Sequence, residues 1–270
     1  MLDNEIGKII NIQTQENIGF WHMAHSYVRG PWAKKENSNP IILAKCCHDL
    51  DLICWFMNEK CISVNSVGSL SVFRKENKPE GASMYCSTCP KKDECIYDSM
   101  KIYPYHPWCN YYYMTDEPTI ENIKKNLPLT KYDKCVYEHD NNVCDHQTTI
   151  MKFESGATCT HNLSAFSQNV YRTIHIQGTL GELYGTFDEY DDIIELKKFN
   201  GENRTIDAKK LVKENSAHGG GDAAMMREVY NVLNGKESIT ITSIEQSIMS
   251  HRIGFKAEES RLDNGETKLI

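Results

Sequence analysis

No apolar run in this sequence approaches the roughly 20 residues that a membrane-spanning helix needs. The longest, such as Ile41 to Ala44 and Ile53 to Met57, fall far short, and no membrane segment is expected. Basic runs and stripes are lacking too. Lys and Arg number 30 against 37 Asp and Glu, for a net charge of -7, which argues against a nucleic-acid partner that would need a cationic phosphate-tracking surface. The opening Met1-Leu2-Asp3-Asn4-Glu5 shows no basic stretch leading into an apolar one, so a secretory signal is not expected and a cytoplasmic location is. Also missing is the glycine-rich strand-to-helix turn, followed about 20 residues later by a carboxylate, with which a doubly wound domain holds a dinucleotide. Gly219-Gly220-Gly221 precedes a helical pattern but follows no convincing strand, and Gly178-Thr179-Leu180-Gly181 joins two strand-like segments. A phosphate-binding loop of the Walker type is absent as well.

What is present suits a folded α+β protein. At 270 residues and 40% hydrophobic content, the chain can bury one substantial core. Strand-like alternation runs over Lys8 to Asn17, Cys61 to Phe73, Cys144 to Phe153, Ala157 to Ala165, Arg172 to Gln177, Gly181 to Phe187 and Asp192 to Phe199, with short connectors predicting an antiparallel meander. One helix is expected from Pro40 to about Met57, because Leu43, Cys46, Cys47, Leu50, Ile53, Cys54 and Met57 recur at three- and four-residue spacing. Two more are expected over Asp222 to Leu233 and about Ile244 to Leu262, the latter opened by a Ser243/Gln246 capping box. The expected architecture is a large, mostly antiparallel open β-sheet with helices packed on one face, in a single domain over 1–270. Residues 74–132, rich in Pro, Tyr and Cys, form an irregular insertion within it.

Chemistry concentrates in three places. Lys45, His48, Asp49 and Leu52 share one helical side, with Asp51 close after His48, so an acid-base cluster could form there; a surface Lys-Asp pair beside a helix histidine is the plainer reading. His25 and Arg29, in a loop ending Gly30-Pro31-Trp32, could bind substrate hydroxyls or a carboxylate, or simply lie at the surface. Cys86-x2-Cys89-x5-Cys95, with Cys109 or His106 as a fourth ligand, has a first spacing used by structural zinc. An iron-sulfur cluster fits the same residues, and so do reduced thiols in an ordered loop. Cys46, Cys47, Cys54, Cys61, Cys135, Cys144 and Cys159 lie in apolar or strand-like runs and read as core.

The helical segment around His48 resembles the C-terminal domain of the glucose-fructose oxidoreductase / inositol dehydrogenase / MocA (Gfo/Idh/MocA) family, whose active-site helix carries a G-G-x-x-x-D-x-x-x-H-x-x-D type of pattern. His48 matches its histidine and Asp51 its later aspartate, while the earlier aspartate falls on Ala44, followed by Lys45. His25 to Trp32 is similar to an H-x-x-x-R-G-x-W stretch of one subgroup. Asp145-His146-Gln147, Gly178 to Leu183, His218 to Asp222 and Ala257 to Arg261 follow in the subgroup's order. The resemblance implies a substrate-binding and oligomerisation domain of an NAD(P)-dependent sugar or polyol dehydrogenase. It further implies His48, Lys45 and Asp51 as catalytic, His25 and Arg29 as substrate-binding, and a homo-oligomer formed through the sheet face. The family's nucleotide-binding domain and its catalytic lysine precede the point matching Met1. The chain alone is therefore expected neither to bind NAD(P) nor to turn over. A stand-alone carbohydrate-binding or scaffold protein and a small zinc protein are the alternatives.

Overall fold

Side chains alternate across a strand, so the even positions from Ile12 to Ile18 in the first strand all point inward, and each of Ile12, Thr14, Glu16 and Ile18 is buried. That strand, β1 (Ile9–Gly19), runs through the interior of a nine-stranded sheet. The computed structural model describes residues 3–106, 109, 116–187, 192–211, 220–238 and 242–270. Its further strands are β2 (Cys61–Ser69), β3 (His146–Phe153), β4 (Thr158–Ser167), β5 (Tyr171–Gly178), β6 (Gly181–Phe187), β7 (Ile193–Lys198), β8 (Asn203–Asp207) and β9 (Lys268–Leu269). They lie in the order β8-β7-β6-β5-β1-β4-β3-β2-β9. Only β1 and β4 pair in parallel, so the fold is the expected mostly antiparallel α+β type.

The succession differs from a plain meander at one point. β3 pairs with β4, and β5 through β8 pair in succession, but β1 lies between β4 and β5. Two sheet spacings amount to about 10 Å, which a few extended residues cover. The link between Ser167 and Tyr171 is just long enough to step over β1. Two short strands escape the hydrophobic pattern: β8 is largely exposed, and β9 has two residues.

The helix expected from Pro40 to Met57 is broken. A turn of helix, Ile41–Ala44, ends at Lys45, and α1 (Cys47–Met57) begins anew after Cys46. Cys46 (φ -104°, ψ 11°) leaves helical geometry after Lys45, which lets Lys45 turn toward the sheet. α1 stops at Asn58, in the left-handed conformation, a position that tolerates asparagine. α2 (Ile120–Asn126) belongs to the insertion, and α3 (Gly221–Leu233) has no buried residue.

α4 (Ile244–Leu262) opens with the predicted Ser243/Gln246 capping box and packs against β2 and α1. The Ser260 hydroxyl accepts from the Ser66 backbone at 2.8 Å, and Arg261 donates twice to Glu258 at 2.7 and 2.8 Å. These bonds account for the Glu258-Glu259-Ser260-Arg261 segment as a clasp between helix and sheet. The core joins Ile12, Met151, Leu163 and Ile176 from the sheet to Leu50, Ile53 and Ile253 from the helices. Phe73 just before the insertion, and Tyr103, Leu127 and Tyr132 within it, belong to the same buried cluster. No helix among the described residues is long and apolar enough to cross a membrane.

Candidate active site

Beneath the turn between Ile41–Ala44 and α1 lies a buried group of charges. Glu16, wholly inaccessible in β1, has its two oxygens 3.0 Å from Lys45 Nζ and 2.6 Å from Arg172 Nε of β5. The same Arg172 Nε is 3.0 Å from Asp49 Oδ1 of α1. Two cations thus meet two carboxylates, and the group is neutral, as a buried set of charges must nearly be. Burial lifts the Glu16 carboxyl above its ordinary value, and the cations of Lys45 and Arg172 oppose that rise. Beside it, Thr14 Oγ1 and His161 Nδ1 are 2.9 Å apart, and burial holds His161 toward its neutral form. Cys46, Asp49 and His161 bring three potential ligand atoms within 4.8 Å of one another. Arg172 already occupies Asp49, and its charge, with that of Lys45, disfavours a further cation there.

Lys45 is held from below and has 13% side-chain exposure, so its ammonium stands at the upper edge of this group. His48, one turn along, is exposed and has no hydrogen-bond partner among the described residues. Asp51 accepts from the Thr242 hydroxyl at 3.1 Å, while its other oxygen is buried without a hydrogen bond. The side expected to align Lys45, His48, Asp49 and Leu52 is therefore divided: His48 and Leu52 face outward, Asp49 inward, and Lys45 lies between.

From the end of β1 the chain enters Phe20–His22 and a π-helical turn, Met23–Arg29. Burial, with help from the charges of Lys45 and His25, lowers His22 to about 3. His25 is 4% exposed, hydrogen-bonds with Tyr103 Oη at 3.2 Å and stacks on Tyr132 at 5.0 Å. Burial, then Arg29 and Lys131, lower it to about 4. Arg29 is 2% exposed and donates to the carbonyls of Lys134 (2.8 Å) and Tyr97 (2.9 Å). Both residues thus lie inside the wall that joins the insertion to the sheet. Trp21 stacks on His106 at 4.4 Å, tying the same insertion to the end of β1.

Cys86, Cys89 and Cys95 line one small cavity, and the fourth thiol there is Cys135, which from sequence reads as core. Cys109 is fully buried in the hydrophobic core cluster and does not line this cavity. Asp145 and Gln147 are buried and His146 is exposed on the opposite side of β3, as alternation requires. Asp145 accepts from the backbone of Ser71 and Val72, and its second oxygen is 2.8 Å from His146 Nδ1. His218 and Gly219 lie outside the described residues.

Glu16, Arg172, His161 and Cys135 are the site residues that sequence reading missed. For Glu16 a signal existed: it falls in register with Ile12, Thr14 and Ile18, so a carboxylate had to be buried and therefore paired. Arg172 has no local signal, because its partners come from β1 and α1.

The depressed histidines predict acid lability. His25 and His139 are held near 4, and His22 near 3, chiefly by burial, against about 6.5 in an unfolded chain. A depressed folded value contributes stability that is complete above pH 6.5 and is lost as pH falls toward the folded value. Each histidine costs about 1.4 kcal/mol per pH unit across that window. The urea midpoint is expected to drop steeply from pH 6.5 to 4.5, and a flat midpoint would show that these rings are solvated.

Gly178 and Gly181 flank the turn between β5 and β6, where added Cβ atoms would lie 2.2 Å from the Ile6 carbonyl oxygen and 2.7 Å from that of Lys197. Close strand packing, not phosphate, explains them.

The sequence matches, over residues 1–265, the profile of the oxidoreductase family, C-terminal alpha/beta domain, of Gfo/Idh/MocA type. It is 22% identical over 263 residues to the Bacillus subtilis (strain 168) protein YteT, which is named as an oxidoreductase; the match covers 88% of this chain and 59% of that protein. Among solved structures, the fold resembles an oxidoreductase domain protein from Kribbella flavida (14% identity, TM-score 0.61, 99% of this chain and 61% of that one). It also resembles levoglucosan dehydrogenase in complex with NADH and levoglucosan (13%, TM-score 0.60, 99% and 60%). A third is scyllo-inositol dehydrogenase from Lactobacillus casei with NAD(H) and scyllo-inositol (14%, TM-score 0.52, 98% and 57%). The chain thus spans about three-fifths of the length of these relatives.

Proposed function

Because the chain belongs to the Gfo/Idh/MocA oxidoreductase family as its C-terminal α/β domain, we propose that it forms the substrate-side wall of an NAD(P)-dependent dehydrogenase acting on a CH-OH group of a sugar or polyol. The observation that carries this reading is His48: an exposed histidine, without a hydrogen-bond partner among the described residues, one turn beyond a lysine that Glu16 holds in place. A dehydrogenase must remove a hydroxyl proton as the carbon gives up hydride, and NAD(P), when bound, supplies the hydride acceptor. His48 is the base for that proton, since an exposed imidazole nitrogen can accept one. Lys45, fixed by its ion pair, presents a cation to a substrate oxygen, and Asp51 sets the field beside His48. His25 and Arg29 back this wall from inside, since their hydrogen bonds go to Tyr103, Tyr97 and Lys134 in and beside the insertion.

The nucleotide is held by a segment outside these residues, because the glycine turns present serve strand packing. Sugar-bound relatives support the substrate class: the named ligands of levoglucosan dehydrogenase and scyllo-inositol dehydrogenase are a sugar derivative and a polyol. A second copy covers the open side of the sheet, where Val67, Ile150 and Tyr184 are exposed on β2, β3 and β6, apolar side chains of the kind that association removes from water. Cytoplasmic residence remains part of this proposal.

Calorimetric titration of the purified chain with the four nicotinamide nucleotides, and separately with a panel of sugars and polyols, tests the reading. Heat with a polyol and none with any nucleotide is expected. Micromolar nucleotide affinity would overturn the assignment of the cofactor to another segment. Sugar binding that persists in a preparation with the nucleotide-binding segment restored, but with no redox turnover on any member of the panel, would favour a carbohydrate-binding or scaffold protein.

A further inference from the structure

The insertion after β2 folds around a cavity of about 20 Å³, close to what one water-sized species requires. Cys86, Cys89, Cys95 and Cys135 all line it. Local geometry brings them there. The turn Cys86–Thr88 is closed by the Cys89 N–H donating to the Cys86 carbonyl at 3.1 Å, the tight turn that a C-x2-C pair needs to present both sulfurs to one side. Cys95 N–H donates to the Lys91 carbonyl at 3.1 Å, folding the third thiol back. The fourth arrives from far along the chain: Lys134 bridges antiparallel to Tyr85, and Cys135 N–H donates to the Met84 carbonyl at 2.9 Å. Asp133 locks the two arms by accepting from the Ser87 N–H at 2.9 Å and the Ser87 hydroxyl at 2.6 Å.

Two hydrogen-bond donors point at these sulfurs. Ser83 N–H donates to Cys89 Sγ at 3.4 Å, and Arg29 Nη2 to Cys86 Sγ at 3.5 Å. Arg29 is nearly inaccessible and forms no ion pair with a carboxylate among the described residues; its other bonds go to neutral carbonyls. A buried guanidinium there favours nearby negative charge, for which the lining carboxyl of Asp98 and the thiol sulfurs are the candidates.

We propose that Cys86, Cys89, Cys95 and Cys135 bind a single zinc-class divalent ion as four thiolates. Four sulfur-hydrogen bonds give way to four metal-sulfur bonds, four protons leave to solvent, and no electron moves. The resulting centre carries a charge of -2 beside the lining Asp98 carboxyl, and Arg29, Lys91 and Lys92 supply the positive charge around it. No three of these sulfurs lie within 4.8 Å of one another, so metal-sulfur bonds of about 2.3 Å draw the turns inward around the ion. The consequence reaches the site above: Arg29 and His25 share one π-helical turn, so the ion staples the insertion beneath the substrate wall.

Elemental analysis of the chain, purified under reducing conditions from zinc-supplemented medium, is expected to give one zinc per chain. Cys109→Ser keeps it and Cys135→Ser loses it. Because Cys135→Ser may lose its fold along with its metal, cobalt exchange into the unaltered chain provides a second readout: thiolate-to-cobalt charge-transfer bands with the intensity of a tetrahedral four-thiolate site. A chain without metal, a chain holding four iron and four sulfide, a disulfide among these cysteines, or zinc lost by Cys109→Ser and kept by Cys135→Ser would each overturn the proposal.

Discussion

Replacing Glu16 by Gln is expected to lower the unfolding free energy by about 3–5 kcal/mol, the cost of removing one member from a buried set of charges. Glu16 is the only carboxylate that Lys45 contacts among the described residues, and it shares Arg172 with Asp49. Without its charge, two cations face one carboxylate in a region where the strand side chains are fully buried. Shape is preserved, so the loss reports electrostatics and desolvation rather than a cavity. Urea unfolding at pH 7, analysed at constant m, measures it. A loss below about 1 kcal/mol would mean that water reaches the group, as it does for surface pairs of that strength. Lys45→Met is expected to cost less, because Glu16 keeps its bond to Arg172. It would also remove the cation that holds Lys45's place in the proposed site, so stability and substrate affinity should separate between the two variants.

His48→Asn should show the reverse pattern. Its ring is exposed and without a hydrogen-bond partner among the described residues, and a surface substitution of that kind changes stability by no more than about 0.5 kcal/mol. Yet as the group that takes the hydroxyl proton, it should lower kcat about 10²–10⁴-fold in the nucleotide-holding enzyme, with kcat/KM falling in proportion. Unchanged kcat would move the proton step to another group and leave His48 as a surface residue.

Together these two substitutions separate the layers of the site. The lower layer, Glu16, Arg172 and Asp49, belongs to the packing of β1, β5 and α1, and its loss is felt as instability. The upper layer, His48 with Lys45 at its edge, is the proposed place to meet a ligand, and its loss is expected to be felt in turnover. The break of helix at Lys45 and Cys46 is the device that allows both. A continuous helix through Lys45 would have kept its ammonium on the same side as His48; the turn sends it down to Glu16 instead.

Sheet class, the two long helices at the end and the α1 region were legible from periodicity, because a strand or helix that buries one face must repeat its apolar residues at the spacing of that face. The Ser243 cap and the opposite orientations of His146 and its neighbours followed from the same local rules. The insertion of β1 between β4 and β5 was not legible, since each strand carries its own alternation regardless of which neighbour it takes. β8 and β9 were missed because one is mostly exposed and the other too short to show a period.

The site divides along the same line. His48, Lys45 and the C-x2-C turn are properties of short segments, and their residue types with their spacing single them out before any fold is known. Arg172 beneath Lys45, Arg29 turned into the insertion, and Cys135 in place of Cys109 depend on which distant strands and turns come to lie together. Hydrogen bonds and ion pairs between segments more than a hundred residues apart leave no trace in either segment's own pattern. Local sequence determined the elements and the candidate groups; tertiary structure decided which charges were buried together, because only packing sets the dielectric and the partners that each charge meets.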